Sequence, residues 1–206
     1  MNQIPEGKTI YFDWLDNLNF SQAFVVCVGA GPWKEKRRKK VALDKLKNND
    51  LCEFHKTKII WFPFDWQNNL IENAAELCYH MKTSFEQYCS KMRDQLNKLE
   101  YYLLCINPDI DSNDLKEYLE LSSLLKTTFY HDFGYGDEGI KVLSLFLRDK
   151  INIYAFPIDR HIKRNLEQHG LPYDEGFIIY ICGIYGVDPS QLNRYIFNSN
   201  SSNPQY

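Results

Sequence analysis

Apolar side chains recur at three- and four-residue steps over one long stretch of the chain. Leu70, Ile71, Ala74, Leu77, Cys78, Met81, Phe85, Tyr88, Cys89, Met92, Leu96, Leu99 and Leu103 keep that rhythm and predict one or two long helices across Asn68–Leu103. Asn107-Pro108-Asp109 ends the stretch, and Ser112 or Asn113 opens a second helix with Leu115, Leu119 and Leu125 among its apolar positions. Upstream, residues 8–31 mix aromatics with small apolar residues up to the breaker cluster Gly29-Ala30-Gly31-Pro32. A basic helix is expected over Trp33–Lys47, packed through Val41, Leu43 and Leu46. Lys58–Trp66 is a short apolar and aromatic patch broken by Pro63.

The second half is shorter-grained. Gly134, Gly136 and Gly139 fall within six residues, which excludes regular helix there. Val142–Leu147 is apolar and helical in character, ending near Asp149-Lys150. Residues 151–158 contain Pro157 and read as an extended connector. Asp159 is an N-cap for a helix running to about Gln168 and stopped by Gly170. A further helix spans Asp174–Tyr185, ending at Gly186. Asp188 then caps a last helix that has Pro189 at its first position and reaches Phe197. Asn198–Tyr206 is polar and expected to be a mobile tail. Strand signals are weak throughout, so the fold class is all-α.

Composition narrows the function classes. Of 206 residues, 44% are apolar, 15% aromatic and 25% charged, a profile that excludes a disordered chain and suits one core or two small lobes sharing a cleft. No run approaches the roughly 20 apolar residues of a membrane-spanning helix. The start, Met1-Asn2-Gln3-Ile4-Pro5, has neither a basic nor an apolar leader region, so no secretion signal is expected. Six cysteines lack CxxC or Cys/His spacing and read as buried free thiols in a reducing cytoplasm, with no metal site.

The net charge of -3 hides a blocky distribution. Lys34–Lys47 carries eight basic residues against Glu35 and Asp44. Lys141–Arg164 carries six against Asp149 and Asp159, while Asn107–Glu138 between them is acidic. A mildly acidic protein can therefore still present a basic face. Such a run is ordinarily a solvated face; on a DNA enzyme, Lys34, Arg37 and Arg38 become a phosphate-binding surface.

The chemistry concentrates between Gly134 and Arg164. A glycine hairpin between helices places backbone N–H groups at a helix N-terminus, where phosphate binds without base information. Lys141 sits at that helix start and Asp159 at the start of the next, eighteen positions on. Two ionisable groups at neighbouring helix N-termini can converge on one point.

These residues resemble a known family. Gly139-Ile140-Lys141, Ser144-Leu145-Phe146-Leu147-Arg148 and Pro157-Ile158-Asp159-Arg160-His161-Ile162 are similar to the signature of the helix-hairpin-helix, Gly/Pro-Asp superfamily of DNA glycosylases. Within it they are closest to the type-2 8-oxoguanine DNA glycosylase/AP lyase branch. Gln191–Phe197 resembles that branch's final helix. The similarity covers about sixty residues. The chain departs from it at Tyr135-Gly136-Asp137-Glu138-Gly139, where the family commonly has Leu-Pro-Gly-Val-Gly, and in running on past the final helix.

The resemblance implies a single unit over residues 1–206. Its N-terminal helical lobe would cover about residues 1–110 plus the C-terminal helices, its hairpin lobe about 111–170, with a DNA cleft between. It implies Lys141 as the nucleophile that forms a Schiff base and Asp159 as its carboxylate partner. A lysine must lose its proton to attack, which a helix N-terminus and partial burial favour. Gly136, Gly139, Arg160 and His161 would contact DNA, although a structural histidine hydrogen-bonded within the fold is the favoured reading of His161, and Phe197 and Trp33 would line a pocket for the flipped base. The substrate would be double-stranded DNA with a damaged base, probed by a monomer without cofactor. The compartment would be the nucleoid-containing cytoplasm, or the nucleus of a eukaryote. Two alternatives stay open: a monofunctional glycosylase in which Lys141 does not attack, and a non-catalytic hairpin module that binds DNA or a protein.

Overall fold

A computed structural model describes residues 15–30, 34–106, 124, 126–133, 137–151, 155–185 and 187–200. These residues form helices and connecting turns, with no strand among them. In chain order the helices are α1 (Phe20–Val28), α2 (Glu35–Leu46), α3 (Asp65–His80), α4 (Phe85–Ile106), α5 (residues 126–132), α6 (Asp137–Phe146), α7 (Arg160–Gln168), α8 (Glu175–Ile184) and α9 (Pro189–Asn200).

α1 is the hub of the larger core. Its nine residues are all buried, and α2, α3, α4 and α6 pack around it. A helix buried on every side, with Ser21 and Gln22 its only polar side chains, gives no periodic signal, which is why the sequence shows only a mixed apolar segment there. Asn19 and Gln22 start it as a capping box, with the Gln22 N–H donating to Asn19 Oδ1 at 2.8 Å. The rings of Phe24, Phe85, Phe129, Phe133 and Phe146 meet in its centre; Phe24 stands edge-on to Phe146 at 5.3 Å. These aromatics join α1, α4, α5 and α6 into one buried mass.

The long periodic stretch is two helices rather than one. Lys82 takes a left-handed backbone (φ 53°), and Asp50 caps the restart of the chain, accepting the Phe85 and Glu86 N–H groups at 2.8 and 3.2 Å. The helix expected from Ser112 lies outside the described residues.

α2 forms where the basic segment predicts it, but its buried face differs. Arg38, Ala42 and Leu46 point inward, Val41 is half-buried and Leu43 is exposed. The expected packing face of Val41, Leu43 and Leu46 is thus rotated, because a long arginine stem occupies core volume beside α1.

A second group of buried side chains comes from the 155–159 segment, α7 and α8 (Phe156, Ile162, Leu166, Ile178, Ile179 and Cys182), with half-buried Leu192, Ile196 and Phe197 of α9 packed against it. Aspartates start all three helices as read from sequence. α7 ends on Gly170 at φ 65°, where the Leu171 N–H returns to the Leu166 carbonyl at 2.9 Å. α9 runs three residues past the expected Phe197 end, so the start of the expected tail is helical.

One expectation around α6 is corrected. The helix begins at Asp137 and takes in Gly139, which the glycine spacing had excluded from regular helix; a lone glycine costs a helix only about 1 kcal/mol. Its C-terminal end widens into a π turn over Leu147–Ile151. No helix among the described residues is long and apolar enough to cross a membrane.

Candidate functional site

Asp159 is the best-defined of the candidate residues. It has extended backbone (φ -86°, ψ -179°), and its Oδ1 accepts the N–H groups of His161 at 2.8 Å and Ile162 at 2.9 Å. Its own carbonyl accepts the Lys163 N–H at 2.8 Å. The positive end of α7 therefore faces a carboxyl group held in one orientation, half-buried at the edge of the second core.

Lys141 is half-buried on the second turn of α6. Because the helix starts at Asp137, the amine belongs one turn inside rather than at the start, which corrects the sequence expectation. The helix-end field that was to act on it is strongest over the first turn. Ser144 follows Lys141 by three positions and so shares its face of α6.

Two polar clusters link α6 to the segment that carries Asp159. In the first, Glu175 at the start of α8 accepts the Phe156 N–H on Oε1 at 2.6 Å. The same oxygen receives the Ser144 hydroxyl at 3.5 Å and pairs with the Lys126 ammonium of α5 at 3.5 Å. In the second, Asn193 of α9 donates to the Pro157 carbonyl at 3.0 Å and accepts from Arg148 Nη1 at 2.5 Å.

Arg148 also grips Asp149, Nε to Oδ1 at 2.6 Å and Nη2 to Oδ2 at 2.7 Å, and Arg194 reaches Asp149 Oδ1 at 2.8 Å. Burial alone would raise the Asp149 carboxyl. The two guanidiniums outweigh it and hold the group below the usual carboxylate range. Lys150, next in the π turn, donates to the Leu15 carbonyl at 3.0 Å and the Leu18 carbonyl at 2.5 Å, and burial draws its ammonium below the usual lysine range.

The remaining candidates divide by location. His161 and Phe197 are brought together, with rings edge-on at 5.8 Å and 79°. Arg160 is exposed on α7, followed by exposed Lys163 and Arg164. Lys34 and Arg37 are exposed at the start of α2, which packs on α1 in the larger core. Arg38 is not a surface residue: it is 1% exposed, and Nη1 donates to the Val26 carbonyl at the C-terminal end of α1. Its expected phosphate contact is therefore withdrawn. Gly139 is buried in α6. Gly136 and Trp33 lie outside the described residues.

Sequence reasoning missed the contacts of Glu175 and Asn193 and the Arg148–Asp149–Arg194 cluster. A signal for the last was present: Arg148 and Asp149 directly follow the apolar run Val142–Leu147, and charges entering a core require partners. Of the described cysteines, Cys27, Cys78, Cys89 and Cys182 are buried and Cys52 is half-buried; all are free thiols. No cluster of metal-ligating side chains occurs among the described residues.

No family model, no curated protein and no solved structure matches this chain.

Proposed function

We propose that the protein is a DNA glycosylase with AP lyase activity, built on a helix-hairpin-helix plan with two helical lobes, that excises an oxidised purine such as 8-oxoguanine. The observation that carries the reading is the oriented Asp159 carboxylate at the start of α7, on a segment fastened through Glu175 to the face of α6 that bears Lys141. The resemblance of residues 139–162 and 191–197 to that enzyme class supplies the rest.

In this reading the neutral Lys141 amine attacks C1′ of the damaged nucleoside. The C1′–N bond breaks, and its electron pair leaves with the base, which takes up a proton. Opening of the sugar ring then gives a Schiff base between Lys141 and C1′. Loss of the C2′ proton expels the 3′ phosphate by β-elimination, and water later releases the lysine. The Asp159 carboxylate stabilises positive charge developing on the sugar and relays protons. Exposed Arg160, Lys163 and Arg164 on α7, with Lys34 and Arg37 on α2, would meet phosphates. Phe197, beside His161, would border the pocket of the flipped base.

A panel of duplexes, each with one defined lesion, run on a denaturing gel tests this. Strand cleavage at an oxidised purine is expected. Base release that leaves an intact strand contradicts the lyase step, and no processing of any lesion contradicts the enzyme.

A further inference from the structure

Residue 193 could hold any side chain compatible with a buried helix face, yet it holds an amide with both ends engaged. Asn193 is 2% exposed. Its Nδ2 donates to the Pro157 carbonyl at 3.0 Å, and its Oδ1 accepts from Arg148 Nη1 at 2.5 Å. Pro157 lies two residues before Asp159, and Arg148 lies in the π turn that continues the helix of Lys141. Around this contact, α7 and α9 meet through apolar side chains such as Ile162, Leu166, Leu192 and Ile196. A purely apolar side chain would serve that packing without the desolvation a buried amide costs.

The 155–159 segment has no helix or strand of its own to fix it, and Pro157 contributes no N–H. Its placement is set by groups reaching in from outside: Glu175 on the Phe156 N–H and Asn193 on the Pro157 carbonyl. Both of those groups also hold α6 or its extension, at Ser144 and Arg148. Each side chain therefore bridges the two backbone segments that carry the lysine and the aspartate.

We propose that Asn193 is a positioning residue for the lysine–aspartate chemistry: it sets the 155–159 segment, and with it Asp159, relative to the helix of Lys141, and touches no DNA. The inference rests on the glycosylase/lyase reading above. A displacement of about 1 Å of a reacting group costs up to about a hundredfold in rate.

The test uses the full chain and a duplex carrying a single abasic site, with borohydride trapping followed under single-turnover conditions. Asn193→Asp is isosteric and keeps the acceptor for Arg148, while replacing the donor to Pro157 by an oxygen. Asn193→Ala removes both contacts without introducing a buried charge, and serves if the aspartate variant fails to fold. The expected result is duplex affinity equal to wild type, an unchanged helical circular dichroism spectrum, and adduct formation slowed about tenfold or more. A wild-type rate in a folded variant overturns the positioning role alone. A rate loss that merely follows the loss of folded protein also overturns it. If wild type itself forms no adduct, the glycosylase/lyase reading falls and the positioning role falls with it.

Discussion

Arg148 and Asp149, neighbours in sequence, face each other across two short hydrogen bonds inside the protein, with the Asp149 side chain 1% exposed. Arg194 closes the cluster from α9. The carboxylate pairs with two guanidiniums drawn from separate elements, so its removal takes a buried partner from both. Asp149→Asn is expected to cost about 3 kcal/mol or more in urea unfolding at neutral pH.

The same cluster sets an acid limit. The folded-state Asp149 carboxyl lies below its unfolded value, so the folded protein binds the proton less readily. Its stabilising contribution is complete above the unfolded value, about pH 4, and is lost as pH falls through the folded value. Wild type should lose stability more steeply than Asp149→Asn below about pH 4 in thermal melts. Parallel acid limbs for the two proteins would contradict the assignment.

Glu175 is the only described acceptor for the Phe156 N–H, which lies in the second core. Glu175→Ala strands that donor and leaves the Lys126 ammonium, 6% exposed, without the carboxylate it pairs with. A loss of about 1–3 kcal/mol is expected in chemical denaturation. Glu175→Gln keeps an acceptor oxygen and should lose less.

The basic run on α2 should separate by burial. Lys34→Ala and Arg37→Ala, both on the surface, are expected to flatten the salt dependence of duplex binding by about one unit of slope each while leaving the melting temperature in place. Arg38→Ala is expected to do the reverse, lowering stability by about 2 kcal/mol through lost packing and the freed Val26 carbonyl, with the salt slope unchanged. Titrations of duplex binding at several salt concentrations, paired with melts, distinguish the two classes.

The five described thiols should be quiet. Burial pushes Cys52 and Cys182 up to about 11 and Cys78 up to about 12, and raises Cys27 and Cys89 as well. Thiolate is the reactive form, so these groups stay protonated near neutral pH. Disulfide-exchange reagents are expected to label these five thiols slowly in the native protein and rapidly in urea; fast native labelling at Cys78 or Cys182 would contradict this.

The helices opened by Asp159, Asp174 and Asp188 were legible because N-capping is local: one side-chain oxygen and the next few N–H groups decide it. Gly170 was legible for the same reason. α1 was not, since nine consecutive buried residues carry no polar face to mark a period. Arg38 was misread because burial of an arginine depends on the distant α1 carbonyls that receive it. Motif spacing singles out Lys141 and Asp159 as candidates, but the contacts of Glu175 and Asn193 carry no such signal, because their partners Phe156, Ser144, Pro157 and Arg148 come from elements far apart in the chain. Tertiary placement alone brings them together.

Covalent capture at Lys141 tests the central reading most directly. Wild type mixed with an oxidised-purine duplex and sodium borohydride is expected to yield a stable protein–DNA adduct, with the reduced bond mapped to the Lys141 peptide. Lys141→Gln is expected to bind the same duplex and give no adduct. Adduct formation that persists in Lys141→Gln, or maps to another lysine, would contradict the account.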